Sequence, residues 1–166
     1  MSVDLHAAQS QGFFDGPVDH LVAMPVLVDY IRDRFQGHLD NVAVVSPDAG
    51  RIRVAEQWAQ RLGGGPLAFV HKTRDITRPN QAVANRVVGD VAGKDCVLVD
   101  DLIDTAGTIA GACHVLQDAG AKSVTVVATH GVLSGPAVER LKNCGAREVV
   151  LTDTAVSYTH LTLPTI

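Results

Sequence analysis

Two carboxylates, Asp100 and Asp101, directly follow the apolar run Cys96 to Val99, and a loop of small and hydroxylated residues, Thr105-Ala106-Gly107-Thr108, comes shortly after them. The apolar run reads as a strand buried on both faces that ends at the carboxylates. Beyond the loop, Ile109, Ala112, Cys113 and Leu116 recur on one face of a helical pattern. Such a junction has a narrow chemistry. Backbone N–H groups at a helix start point at an anion, small side chains let a phosphate approach them, and carboxylates at the strand end accept hydrogen bonds from vicinal hydroxyls. The stretch Val97 to Thr108 therefore outlines a pocket for a sugar phosphate.

Three further groups could join it. Asp4, His6, Asp15 and Asp19 place three carboxylates and an imidazole in one short, turn-rich stretch. Oxygen ligands of this kind suit Mg²⁺, which binds through one or two carboxylates plus substrate phosphates; a solvated acidic loop accounts for them as well. Asp48, in Ser46-Pro47-Asp48-Ala49-Gly50, is open to a metal role or to a turn role through its own backbone. His71, Lys72 and Arg74 follow the apolar run Leu67 to Val70. Cations there lie on the ligand side of an open α/β sheet, although a solvated basic loop would read the same way.

The elements that must position these groups alternate along the chain. Helical spacing covers Ala23 to Phe35, with Pro25 suited to the first turn, and later Val54, Ala55, Trp58, Ala59 and Leu62. Strands are expected at Asn41 to Val45, Leu67 to Val70, Arg86 to Val91 as an edge strand, Cys96 to Val99, Val124 to Ala128 and Glu148 to Leu151. Asp75 to Asn85 reads as a polar connection, Pro136 to Leu141 as a short helix, and His130 as a histidine satisfied within a loop at a strand exit. The alternation predicts βαβ units around a parallel sheet, a doubly wound α/β fold.

Composition sets outer limits. A chain of 166 residues, 46% hydrophobic, holds one ordinary domain and not two. A net charge of −4 gives no general attraction for nucleic acid, so an anionic ligand must be held locally. No apolar run approaches the ~20 residues of a membrane span, and the N-terminus lacks a basic-then-apolar signal pattern, which points to the cytoplasm. Cys96, Cys113 and Cys144 are odd in number and sit in apolar patterns, so buried thiols are expected rather than a disulfide or zinc site.

The stretch Asp100-Asp101-Leu102-Ile103-Asp104-Thr105-Ala106-Gly107-Thr108 resembles the phosphoribosyl-pyrophosphate loop of type I phosphoribosyltransferases, and in this form it looks most like that of the ribose-phosphate pyrophosphokinase family. The segment Asp4 to Asp15 resembles one deep inside those enzymes, and the likeness extends from Asp4 to Thr154. The resemblance implies a type I phosphoribosyltransferase-like domain at 23–155 that lacks its C-terminal end. It makes 1–22 the remnant of the end of a preceding domain with metal-site residues. Residues 156–166 break the pattern, and Val-Ser-Tyr-Thr-His-Leu matches one reading frame of a transposon-end sequencing adapter, so they are expected to be a sequencing scar.

The implied activity is transfer of the pyrophosphoryl group of ATP to the anomeric hydroxyl of ribose 5-phosphate. The family pattern assigns Lys72 to catalysis. Arg74, Asp104, Thr105, Ala106, Gly107 and Thr108 go to the 5-phosphate, Asp100 and Asp101 to the ribose hydroxyls, and His6, Asp48, Asp4, Asp15 and Asp19 to Mg²⁺. It also implies a homo-oligomer, a hexamer in the family. The nucleotide would sit against a first domain and a neighbouring subunit, with a flexible basic loop for which this chain has no candidate, so little turnover is expected of it alone. Two other readings share the central loop: a phosphoribosyltransferase, and a catalytically dead regulatory subunit. A P-loop kinase is excluded by the lack of a Gly-x-x-x-x-Gly-Lys-Ser/Thr motif.

Overall fold

A computed structural model describes residues 1–73 and 84–155, without the side chains of residues 72, 73, 84 and 85. Its centre is β6 (Asp95–Ile103), flanked by β3 (Val42–Ser46) and β7 (Ser123–Gly131). Beyond them lie β4 (Leu67–Thr73), β5 (Ala84–Val88) and β8 (Glu148–Thr152), in the order β5-β4-β3-β6-β7-β8. All neighbours are parallel except β5, which runs antiparallel along β4 at the edge.

Alternating residues of the central strands feed two separate cores. Cys96 and Leu98 pack with Ala43, Val45, Val124 and Val126 under α3 (Gly107–Asp118) and α4 (Ala137–Asn143). Val97 and Val99 pack with Val42, Val44 and Val127 under α1 (Met24–Arg34) and α2 (Ile52–Arg61). Each such fully buried aliphatic side chain contributes about 1.5–3 kcal/mol, which is why a strand with no polar face suits this position. Helices thus cover both faces, as the doubly wound reading expects. The three cysteines are buried and free. No helix among the described residues is long and apolar enough to cross a membrane.

Several boundaries differ from the sequence reading. β6 does not stop at Val99: its ladder with β7 continues through Asp100 opposite Ala128 to Ile103 opposite Gly131. Pairing resumes across the carboxylates because the ladder is made by backbone groups: Asp100 and Leu102 both keep partners on β7, while the Asp101 N–H turns to the Asp100 carboxylate and Asp101 is skipped in the register. β7 likewise carries Thr129, His130 and Gly131 within the strand. β4 runs past Val70 to Thr73 because β5 pairs with it from Phe69 opposite Val88 to Thr73 opposite Ala84, so Ala84 and Asn85 belong to a strand. The rest of the expected polar connection and residues 156–166 lie outside the described residues.

Ahead of α1, β1 (Ser2–Val3) and β2 (His20–Leu21) form a two-stranded parallel ladder around a 3-10 helix, Ala8–Phe13. His130 ties this segment to the main sheet: its Nε2 lies 3.0 Å from the Val3 carbonyl and its Nδ1 2.7 Å from Thr154 Oγ1. The histidine is satisfied as expected, but across the fold rather than within its loop.

Candidate functional site

The cleft forms where two neighbouring strands send their helices to opposite faces. β3 leads into α2 on one side and β6 into α3 on the other. This is the topological switch point at which open α/β sheets bind ligands, outside the carboxyl ends of the strands. β3 accompanies β6 only as far as Val45 opposite Leu98. Past that level β6 keeps β7 as its ladder partner and loses β3, which opens the side on which Asp100 and Asp101 lie.

From β6 the chain turns through Asp104 and Thr105 to Ala106, which has φ +58° and is 4% exposed. A left-handed alanine costs about 1–2 kcal/mol, and such strain is characteristic of sites where the backbone is held for a purpose. Ala106 is the N-cap residue of α3 and makes no side-chain cap, so the positive end of the helix is not closed by the chain's own cap. Asp100, Asp104, Thr105, Ala106, Gly107 and Thr108 line a cavity of about 160 Å³. From α4, Arg140 Nη1 donates to the Thr105 carbonyl at 2.9 Å and braces the loop from behind.

The β3–α2 junction is built differently. Ser46 Oγ donates to the Asp48 carbonyl at 2.6 Å, and Asp48 Oδ1 accepts the Gly50 N–H at 2.8 Å, capping a 3-10 turn, Ala49–Arg51. The turn role of Asp48 is therefore realised, and the residue still faces the cleft. His6, Asp48, Arg51, Asp100, Asp101 and Thr108 line a second cavity of about 510 Å³, which shares Asp100, Leu102 and Thr108 with the first.

Charge is concentrated in this second cavity. The Arg51 guanidinium pairs with Asp101 Oδ2, and His6 Nδ1 lies 2.9 Å from the same oxygen and 2.7 Å from Arg51 Nη2. Burial pushes the Asp100 carboxyl up to about 7; the Asp101 amide donates to it at 2.9 Å and opposes the shift, while the neighbouring Asp101 carboxylate adds to it. A carboxyl poised near neutrality in a cleft is a mark of a functional position.

The residues proposed for metal do not all meet. Among the described residues no group of three or more His, Cys, Asp or Glu side chains is arranged to hold a metal ion. Asp4, with φ +40°, spends Oδ2 on the Ala23 N–H at 3.0 Å and the Thr129 hydroxyl at 2.7 Å, which makes it a strut for the N-terminal segment. Asp15 and Asp19 are exposed beyond the 3-10 helix. Adjacency in sequence did not become a metal-holding group of three, and the Asp4 carboxylate is turned to Ala23 and Thr129. His6 and Asp48 do share a cavity with Asp100 and Asp101, a donor set that fits Mg²⁺ held mostly by ligand phosphates and water.

Lys72 lies in β4, at the end of the strand nearest the cleft; its side chain and all of Arg74 lie outside the described residues. Sequence reasoning missed Arg51 and Arg140. Arg51 could have been found, since it follows Asp48-Ala49-Gly50 in a unit laid out like Asp104 to Thr108. Nothing local marks Arg140, which reaches the loop from a different helix.

A switch-point cleft with a strained loop at a helix start and paired carboxylates defines a class. Residues 18–158 match the family described as phosphoribosyl transferase domain, and the chain belongs to that family. Within it, the chain is 66% identical over 154 residues to the ribose-phosphate pyrophosphokinase of Corynebacterium efficiens, a match that covers 93% of this chain and 47% of that protein. The crystal structure of phosphoribosylpyrophosphate synthetase from Mycobacterium smegmatis matches with a TM-score of 0.83 at 58% identity, over 93% of this chain and 48% of that one. Orotate phosphoribosyltransferase from Aeropyrum pernix is more distant, with a TM-score of 0.58 at 27% identity over 78% of this chain and 72% of that one. The chain spans about half the length of the curated relatives it matches.

Proposed function

We propose that this chain forms the ribose 5-phosphate half of a ribose-phosphate diphosphokinase, which transfers the pyrophosphoryl group of ATP to the anomeric hydroxyl of ribose 5-phosphate for nucleotide biosynthesis. The observation that carries the reading is the continuity of β6, its loop and α3: paired carboxylates and a loop at a helix start on one stretch of chain, lining two cavities that share Asp100.

In this reading the 5-phosphate sits at Asp104 to Thr108, against backbone amides and the positive end of α3. The ribose hydroxyls donate to Asp100 and Asp101. Fixing the sugar at both ends removes its rotational freedom and aims the anomeric oxygen, so this half of the site contributes by positioning. Arg74 would grip the phosphate and Lys72 would act on the reacting group. His6 and Asp48 are the proposed protein contacts of Mg²⁺, and Asp4, Asp15 and Asp19 are left out for the reasons above. Bound Mg²⁺ would supply neutralisation of phosphate charge. The ATP side belongs to the part of the relatives' length that this chain does not span. A cytoplasmic homo-oligomer, with residues 1–22 belonging to a preceding domain and 23–155 to a second, completes the proposal.

Calorimetric titration tests it. Ribose 5-phosphate should bind the chain and unphosphorylated ribose should not, with little AMP released when ATP is added. Failure to bind ribose 5-phosphate would overturn the reading. Nucleotide formed from phosphoribosyl pyrophosphate and a free nucleobase would mark a phosphoribosyltransferase instead, and steady AMP release by residues 1–155 would refute the division into halves.

A further inference from the structure

We infer that Arg51 is a positioning residue for sugar recognition: it fixes one oxygen of Asp101 so that the carboxylate presents its other oxygen to a ribose hydroxyl. The inference rests on the ribose 5-phosphate reading of the cleft and adds to it a residue from the neighbouring strand–helix junction.

The Arg51–Asp101 pair is sheltered, with side chains 21% and 11% exposed, so it is less screened than a surface ion pair. Its geometry comes from both sides. Asp101 lies within β6 between two residues paired with β7, and Arg51 ends the 3-10 turn that Ser46 and Asp48 brace. The guanidinium meets the carboxylate through Nη2, which also reaches His6, and its planar, fixed donor directions hold that one oxygen in place. His6 Nδ1 meets the same oxygen, and in either tautomer it adds to the constraint, as a donor to Asp101 or an acceptor from Arg51. A carboxylate offers about four acceptor directions. With Oδ2 committed to Arg51, and in one tautomer to His6 as well, Oδ1 is, among the described residues, the oxygen left for a hydroxyl.

Arg51 also lines a smaller cavity of about 150 Å³, beside Asp4, Trp58, Asp100 and Asp101. A competing role is direct grip on a ligand anion. The two differ in what they do to different ligands. Positioning through Asp101 matters only for a ligand that carries sugar hydroxyls, whereas an anion grip matters for any phosphate.

The test compares ribose 5-phosphate with inorganic phosphate on the full chain, by calorimetry, for Arg51→Ala, Arg51→Lys, Asp101→Asn and Arg51→Ala with Asp101→Asn, with thermal unfolding as a check on each. R51A should weaken ribose 5-phosphate about tenfold and change phosphate affinity by less than about twofold, in line with loss of one charge-assisted hydrogen bond at a sugar contact. R51K should recover only part, because an ammonium keeps the charge and loses the fork. In the Asp101→Asn background, removing Arg51 should do little more. Equal losses for both ligands, full recovery by lysine, or additive losses in the double variant would each overturn the inference. If R51A does not fold, R51K and its combination with Asp101→Asn make the same comparison. A wild-type chain that binds phosphate but shows no gain for ribose 5-phosphate would refute the sugar-site reading itself, an outcome distinct from any change on substitution.

Discussion

At the amino end of β6, Asp95 is 8% exposed and accepts hydrogen bonds from Lys122 Nζ at 2.9 Å and Ser123 Oγ at 2.7 Å. At the carboxyl end of the same strand, Asp100 is half-buried beside a second carboxylate and receives the Asp101 amide. Burial pushes both carboxyls up. For Asp95 the bonds from Lys122 and Ser123, with the charges of Lys122 and Arg147, outweigh burial and leave it below its ordinary value. For Asp100 the opposing influences are too few, and it is held near 7. One strand thus carries the same residue type in two conditions, and the difference is the supply of partners. The satisfied end holds β6 to β7, while the under-satisfied end is where a ligand can supply what the protein withholds.

Asp101→Ala should break the contrast most severely. It removes the proposed sugar contact and leaves Arg51 facing the cleft without its carboxylate, so ribose 5-phosphate affinity should drop by about 2–3 kcal/mol, roughly 30- to 150-fold by titration. Ala106→Val comes next. A β-branched side chain at φ +58° in a buried position should cost about 1–3 kcal/mol in denaturant unfolding and weaken phosphate binding with it. At the other end, Asp95→Ala should lower stability by about 1 kcal/mol and leave ribose 5-phosphate affinity unchanged. A loss of binding in that variant would show that the two ends are not independent.

The smallest effect is a tilt of stability with pH, of opposite sign at the two ends. The folded-state pKa of Asp100 is raised, so its contribution is lost as pH rises from the ordinary carboxylate range toward about 7. Asp95 is lowered, so the stability it contributes is present above its unfolded value and is lost as pH falls through its folded value. Glu148 behaves like Asp95: burial raises it, and hydrogen bonds from Tyr30 and Arg34 outweigh that. Denaturant unfolding across this range should show the neutral-side slope flattened in Asp100→Asn and the acid-side slope flattened in Asp95→Asn. An unchanged slope in either would remove that carboxyl from the comparison.

Much of this is legible in the sequence, and what is not has physical causes. The apolar run at Cys96 to Val99 announced a central strand because a strand buried on both faces has no polar alternation. Its extension to Ile103 was hidden, since side-chain type says little about a ladder made by backbone groups. The loop from Asp104 to Thr108 was recognisable by its small residues, while the left-handed conformation of Ala106 was not, because alanine is no signal for positive φ. Asp4, Asp15 and Asp19 looked like one group because they are close in sequence, while the bonds of the Asp4 carboxylate to Ala23 and Thr129, and the exposure of Asp15 and Asp19, depend on the fold.

The sequence by itself determined the two-faced core, the order of elements and the chemical character of the β6–α3 loop. These follow from periodicity and from local backbone rules, which act over a few neighbouring residues. Tertiary structure alone decided that Arg51 meets Asp101, that Arg140 braces Thr105, that Asp4 is a strut and that Asp100 and Asp95 shift in opposite directions. Each of these depends on residues brought together from separate elements, and both the strength of a charge pair and the cost of burying a carboxyl are set by that meeting.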